Sequence, residues 1–365
     1  MIQKFLVLVV VVLALIGGGL VFVERQQQQA LAQHLRLSEP RDLEVRPGAT
    51  PGGLFRQLER EGVLDGAFWL RLYWHWRLGD AKLSAGEYQL VPGESVGQMV
   101  ERWHQGKVQE YRLTFAEGRS FHELRAILRH HPKLRQDTAG LSDEQVMARL
   151  GLADQSPEGW FFPDTYGYYA DMSDLQILRK AHRRMQQVLT EEWRNRAADL
   201  PYKDPYQALI MASLVEKETG LAEERAKIAG VFVRRLNKGM LLQSDPTVIY
   251  GLGERYQGHI GRADLDAQNP YNTYKNKGLP PTPVASPGRD AIHAALHPAP
   301  GTALYFVARG DGGHQFSDTL EEHEKAVSTY QLRRRQDYRS TPEPLKGQPK
   351  AAPASPKAAA GAGQP

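Results

Sequence analysis

The chain has 365 residues, 41% hydrophobic and 24% charged, and its 46 basic and 42 acidic side chains leave a formal net charge of +4. Such a length holds two or three domains with their own cores, and charge this scattered offers no dense basic stripe, which argues against nucleic acid as a partner. With no cysteine, a disulfide framework, a thiolate metal site and a cysteine nucleophile are excluded.

At the N-terminus Lys4 precedes nineteen apolar or glycine residues, Phe5 to Val23. As a helix this stretch is about 28 Å long, enough to cross the hydrocarbon layer of a bilayer. Ala30-Leu31-Ala32 has the small-x-small form of a signal-peptide cleavage site, but the apolar run exceeds a normal signal core and ends well before it. An uncleaved single-pass anchor is therefore expected over residues 1–25. Lys4 and the terminal amine place its short side in the cytoplasm. Residues 26–40, polar and glutamine-rich, read as a stalk.

Next comes an internal repeat: "VRPGATPGGLFRQLEREGV" from Val45 and "LVPGESVGQMVERWHQGKV" from Leu90 align at an offset of 45 residues. Each reads as strand, Pro-Gly turn, hydroxyl N-cap and helix, with Thr50 before Pro51 in the first and a Ser95/Gln98 capping box in the second. Between them Gly66 to Leu78 forms a second helix with Phe68, Leu72 and Trp76 on one face, and Ala85 to Leu90 a strand. Arg41 to Val91 thus has the order strand, helix, helix, strand, an arrangement that resembles the LysM-type carbohydrate-binding module and is expected over residues 41–110.

Beyond Tyr111, Ser120 and Glu123 have capping-box spacing ahead of Leu124, Ile127 and Leu128. "SPEGWFFPDTYGYY" reads as an aromatic loop, followed by a helix from Leu175 to Trp193. After the helix Tyr206 to Thr219, turn signals and short apolar runs dominate Gly239 to Phe316, an α+β pattern. Residues 336–365, rich in Pro, Ala, Gly, Lys and Ser, are expected to be disordered.

The chemistry centres on "MASLVEKETG", Met211 to Gly220. This helix has almost no polar face until its last turn, so it is expected to be buried nearly all round. At about 100° per residue Glu218 projects between Met211 and Leu214, while Glu216 points nearly opposite, above Ala212 and Leu209, so only one of them should line a given cleft. Lost hydration against Met211 and Leu214 would raise the pKa of Glu218 towards that of a general acid. Glu216 reads as a structural acid paired with Lys217 or an arginine. The bland reading makes both ordinary helix-end charges reaching water. Around them Trp160, Phe161, Phe162, Tyr166, Tyr250, Tyr271 and Tyr274 could stack on sugar rings, with about half of them expected in the core instead.

"EGWFFPDTY" (Glu158 to Tyr166), "MASLVEKETG", "LQSDPTVIYGLG" (Leu242 to Gly253), "YNTYKNKGLPPTPVASPG" (Tyr271 to Gly288) and "GGHQFSDTLEEH" (Gly312 to His323) occur in this order. Together they resemble the endolytic murein transglycosylases of the MltG or YceG-like family, from the apolar N-terminus to about Gln331. The resemblance implies an α+β catalytic domain over residues 111–335 in an inner-membrane protein facing the periplasm. It implies internal cleavage of nascent peptidoglycan strands, with peptidoglycan synthases as partners and no cofactor or metal. It makes the second acid of "EKET", Glu218, the catalytic residue, and Gln243, Asp245, Thr247, Tyr271, Asn272 and Thr273 residues of the glycan cleft. Asp245 in "SDPT" can equally be a turn-forming aspartate. The implied chemistry needs no water: the C6 hydroxyl of N-acetylmuramic acid attacks its own C1 and leaves a 1,6-anhydro end.

Other classes compete. Ser213 and Lys217, one turn apart, evoke a Ser/Lys hydrolase, but the spacing is not S-x-x-K. His293 and His297 are spaced for a metal but lack the glutamate of H-E-x-x-H, which leaves paired surface histidines. The principal alternative is a non-catalytic wall-binding scaffold for synthases.

Overall fold

A computed structural model describes residues 2–46 and 48–332; the tail expected to be disordered lies outside them. In chain order the elements are α1 (Ile2–Ala32), β1 (Arg41–Val45), α2 (Pro51–Arg60), α3 (Ala67–Leu78), β2 (Gly86–Leu90), α4 (Val96–His104), β3 (Glu110–Thr114), α5 (Phe121–Arg129), α6 (Asp143–Leu150), β4 (Thr165–Tyr169), α7 (Asp174–Arg194), α8 (Pro205–Glu218), α9 (Ala222–Asn237), α10 (Asp245–Leu252), α11 (Arg262–Asp266), α12 (Arg289–Leu296), β5 (Tyr305–Ala308), β6 (His314–Ser317) and α13 (Leu320–Val327). The fold is mixed α+β, with three two-stranded antiparallel sheets, β1-β2, β3-β4 and β5-β6, among the described residues. The chain forms two compact units that interleave along the sequence. One takes residues up to Phe115, then Arg125–Ala153 and Thr165–Arg179; the other takes Ala116–Leu124, Asp154–Asp164 and everything described from Lys180 on.

In the first unit α1 is apolar and long enough to span a membrane. It does not stop at the end of the apolar run: the segment read as a stalk continues the helix to Ala32 and buries Gln27, Ala30 and Leu35. The βααβ order is observed, with β1 and β2 registered from Arg41↔Leu90 to Val45↔Gly86. Leu43 and Val45 point inward from β1, as period-two alternation requires, and Tyr88 and Leu90 do so from β2. Both helix starts are capped as their sequences dictate. Thr50 Oγ1 accepts from the Gly53 amide at 3.2 Å, and Ser95 and Gln98 close a reciprocal capping box. The core packs Phe55 against Trp103, stacked at 5.4 Å, with Leu58, Leu70, Trp74 and Met99 around them.

The shared face of Phe68 and Trp76 is an exposed one, 56% and 57% accessible, and α3 packs inward through Ala67, Leu70 and Trp74. Apolar residues on both sides of α3 left its buried face ambiguous from sequence. One expectation is corrected in this unit. The end of the aromatic "loop" is a strand, β4, paired with β3 from Glu110↔Tyr169 to Thr114↔Thr165; its tyrosines suit a pleated, half-buried surface.

The second unit is built around α8. Asp204 caps it by accepting from the Gln207 amide at 2.9 Å, and Pro205 occupies its first turn. Every residue from Ala208 to Val215 is buried, and the helix packs against α9 and α12. With no solvent face in its middle, α8 is a fixed strut whose last turn carries Glu216, Lys217 and Glu218. Truncating the stacked ring in Phe55→Ala should destabilise the first unit by about 3–5 kcal/mol through lost burial and the cavity left behind. Urea unfolding of the detergent-solubilised chain checks this, and an unchanged midpoint would contradict the packing described.

Candidate active site

Glu218 is the last residue of α8, and its half-buried carboxyl lines two cavities of about 380 Å3 each. Ser244 Oγ donates to its Oε1 at 2.6 Å. Among the described residues no cation forms an ion pair with it. Burial, aided by the negative charge of Asp245, pushes its pKa up to about 7, and the Ser244 hydroxyl pulls the other way. The negative pole of α8 also disfavours a carboxylate at this end. Glu218 therefore keeps its proton close to neutral pH.

One cavity is walled by Glu218, Gln243, Asp245, Tyr274, Arg235 and His314, among others. The "LQSDPT" segment is shaped for this role. Gln243 has φ 54°, a left-handed conformation unusual for a residue other than glycine. It is held there by its amide donating to the Thr273 carbonyl at 3.1 Å and by Arg235 Nη1 donating to its Oε1 at 3.1 Å. Asp245, which opens α10, accepts from the Tyr274 hydroxyl at 2.6 Å. Gln243 and Asp245 are exposed into the cavity beside Glu218.

Thr247, Asn272 and Thr273 are buried and face inward. Thr273 Oγ1 accepts from the Ser244 amide at 3.0 Å and meets Thr247 Oγ1 at 2.9 Å, while Thr247 Oγ1 donates to the Ser244 carbonyl at 2.6 Å. Asn272 Nδ2 donates to the carbonyls of Leu265 and Ala267 at 3.0 and 2.8 Å. Tyr271 packs on Tyr250 at 4.8 Å, with its hydroxyl 3.0 Å from that of Thr282. Thr247 and Thr273 thus clamp the loop that carries Ser244, and none of the four lines either cavity beside Glu218.

The other cavity is walled by Glu117, Arg119, Glu123, Glu216, Lys217 and Glu218, among others. Both acids of "EKET" thus line one cleft, against the expectation that only one could. The cavity wraps around the open end of α8, where projection along the axis matters more than angle around it. Among the described residues no cation forms the expected ion pair with Glu216: its Oε2 accepts from the Gly288 amide at 2.9 Å, and Lys217 donates to the Gly118 carbonyl at 3.2 Å. Burial raises the pKa of Glu216 as well, with Gly288 opposing.

A further acid escaped attention in the sequence although it opens a quoted motif. Glu158 is 3% exposed, and burial pushes its pKa up to about 7 against hydrogen bonds from the Phe121 amide and the Tyr250 hydroxyl. It anchors the segment bearing Glu117, Arg119 and Glu123. Gly159 beside it has φ 81°, and a Cβ there would come 2.6 Å from Pro283, so the turn requires glycine. Ser244 and Arg235 were also missed; neither residue type signals its role without the fold.

The rival sites are resolved by their partners. Ser213 is fully buried, donates to the Ile210 carbonyl at 2.7 Å and accepts from the Val284 amide at 3.0 Å, so it cannot reach a substrate. His293 and His297 stack at 4.1 Å and converge with Glu192. Glu192 is occupied by Arg289 at 2.7 Å and by His293 at 2.9 Å. Of the aromatics considered for stacking, Phe161, Phe162 and Tyr166 are buried, and Trp160, Tyr250, Tyr271 and Tyr274 are half-buried.

The YceG-like family matches residues 43–329. The chain is 29% identical over 306 residues to an endolytic murein transglycosylase of Bacillus subtilis (strain 168), covering 79% of this chain and 84% of that protein. It is 34% identical over 180 residues to an endolytic murein transglycosylase of Streptococcus pneumoniae serotype 2 (strain D39), covering 47% of this chain and 32% of that one. A crystal structure of a yceG-like protein from Listeria monocytogenes superposes with a TM-score of 0.50 at 30% identity, covering 79% of this chain and 99% of that chain.

The raised pKa of Glu218 has a consequence for stability. A carboxyl whose folded pKa is about 7 against an ordinary value of 4.5 contributes stability that is fully present below pH 4.5 and lost as pH rises through 7. Glu218→Gln should therefore gain on the native protein by up to about 3 kcal/mol across that window and hold a constant difference above it. Urea unfolding of both proteins as a function of pH checks this; a constant difference throughout would count against the burial of the group.

Proposed function

Since the chain belongs to the YceG-like family, we propose that it is an endolytic murein transglycosylase, a lytic enzyme that cuts peptidoglycan glycan strands internally and leaves 1,6-anhydro-N-acetylmuramic acid ends. The observation that carries this reading is the half-buried Glu218, its pKa pushed up by burial to about 7, lining two open cavities. Glu218 donates its proton to the leaving glycosidic oxygen and, as carboxylate, then removes the proton of the C6 hydroxyl that attacks C1. One carboxyl suffices because the nucleophile belongs to the same sugar, whose effective molarity is high, and no second acid has to activate water. Ser244 donates to the carboxylate formed between the two steps. It is the group most suited to setting its pKa.

Gln243 and Asp245 contact the glycan, Thr247 and Thr273 act on it through the Ser244 loop they clamp, and Tyr271 and Asn272 act through the neighbouring segments they hold. The catalytic region corresponds to residues 111–335. Residues 41–110 act as a LysM-like glycan-binding module, supported by the βααβ order. Residues 1–25 anchor the chain in the inner membrane with the N-terminus in the cytoplasm and the rest in the periplasm, where nascent strands and their synthases lie. A scaffold without activity would not require a carboxyl protonated at the junction of two cavities.

Two variants test the assignment on uncrosslinked glycan strands. Glu218→Gln should abolish anhydro products while strand binding persists; retained turnover would sink the role given to Glu218. Ser244→Ala removes the hydrogen bond that stabilises the carboxylate, so the alkaline limb of the pH–rate profile should move to higher pH. An unmoved limb, measured by product chromatography across pH 5 to 9 (roughly two units either side of neutrality), would show that Ser244 does not tune the acid.

A further inference from the structure

The exposed face of α3 has no role in the chemistry above, yet it is unlike an ordinary soluble surface. The helix carries Phe68, Trp69, Tyr73, Trp74 and Trp76 with two arginines and no acid. Phe68 and Trp76 are more than half exposed, and half-buried Leu72 lies between them in the i, i+4, i+8 series.

The position of α3 against α1 explains such a face. Trp69 meets Phe22 edge-on with ring centroids 6.0 Å apart, and Arg77 reaches Glu24 at 3.5 Å. At the start of α3, Gly66 lies against Ala30, where an added Cβ would come 3.3 Å from that side chain. The helix therefore reaches from the polar part of α1 to the end of its apolar run, whose last residues are Phe22 and Val23.

The direction of each face follows from the helical wheel. Leu70 and Trp74 enter a core that also contains Ala30, beyond the apolar run of α1. Phe68, Leu72 and Trp76 project from roughly the opposite side of α3, away from that core. An amphipathic helix with aromatics on one face and basic residues beside them is the composition that settles at a lipid interface. Arg71, whose guanidinium lies 5.7 Å over the Phe68 ring, is placed to reach phosphate while its stem covers apolar surface.

We infer that α3 is a second membrane contact, lying in the headgroup region of the bilayer crossed by α1 with Phe68, Leu72 and Trp76 inserted among the lipids. This rests on the reading of α1 as a membrane anchor. A helix held by one span could swivel freely; a second, flat contact fixes the orientation of the first unit relative to the membrane plane.

The natural absence of cysteine makes the test direct. Nitroxide labels are attached to the full chain through single substitutions Phe68→Cys, Leu72→Cys and Trp76→Cys, with Leu13→Cys in the anchor and Arg60→Cys on the exposed side of α2 as references. The proteins are reconstituted in phosphatidylethanolamine and phosphatidylglycerol vesicles, and collisions with lipid-soluble oxygen and a water-soluble nickel chelate are measured. Labels at 68, 72 and 76 should favour oxygen several-fold more than the label at 60, and less than the label at 13. Values matching position 60, with position 13 in lipid, overturn the inference and leave the anchor intact. Low collision with both reagents means that protein covers the face and also overturns it. A water-exposed label at position 13 removes the anchor and the inference together.

Discussion

A carboxyl group kept in its acid form at the end of a helix that cannot move is the constraint on which the site depends. Eight consecutive buried residues, Ala208 to Val215, lock α8 into its core, so Glu218 has no route to bulk water by shifting its backbone. Desolvation and the helix pole both act against the charge, and the single neutral donor from Ser244 offsets only part of them. An arginine in place of Ser244 would stabilise the carboxylate far more and would take away the proton that the chemistry needs.

That balance rests on a loop held from behind. Ser244 has its amide bound by Thr273 and its carbonyl by Thr247, so its hydroxyl is aimed at Glu218 by buried partners that never meet substrate. Arg235 extends the same logic. It is buried, with its guanidinium directed at the carbonyls of Leu304, Leu241 and Leu242 and at the Gln243 side chain. The strained backbone of Gln243 is therefore over-determined, as expected of a residue kept in a rare conformation beside a reacting centre.

What the sequence disclosed, and what it withheld, divides along the range of the interactions. Local rules were legible: the caps at Thr50 and Ser95, the βααβ order and the burial of α8 all follow from residues within a few positions of each other. The prominence of Glu218 was legible because an acid ending an apolar helix is unusual. Ser244 could not be read, since a serine ahead of Asp-Pro is an ordinary turn residue until α8 is placed 2.6 Å from its hydroxyl. Thr247, Asn272 and Thr273 look like sugar-binding side chains in sequence. The fold turns them inward, because a loop of irregular backbone needs internal donors and acceptors. The covering of the α3 face was left open for a related reason. Hydrophobic periodicity identifies an apolar stripe without saying whether protein or lipid covers it.

The pair Glu216 and Glu218 shows why pKa alone would have been a poor guide to the working acid. Burial raises both. Their difference lies in access. Glu216 opens on one cavity and has an oxygen tied to the Gly288 amide, whereas Glu218 is common to both cavities. An endolytic enzyme must accept a polymer continuing in both directions from the scissile bond. On the proposed reading a strand threaded from one cavity to the other passes Glu218 at the boundary, and only there does the leaving oxygen of one sugar lie beside the attacking hydroxyl of its neighbour's ring. Position between two subsites, more than proton affinity, is what singles out residue 218.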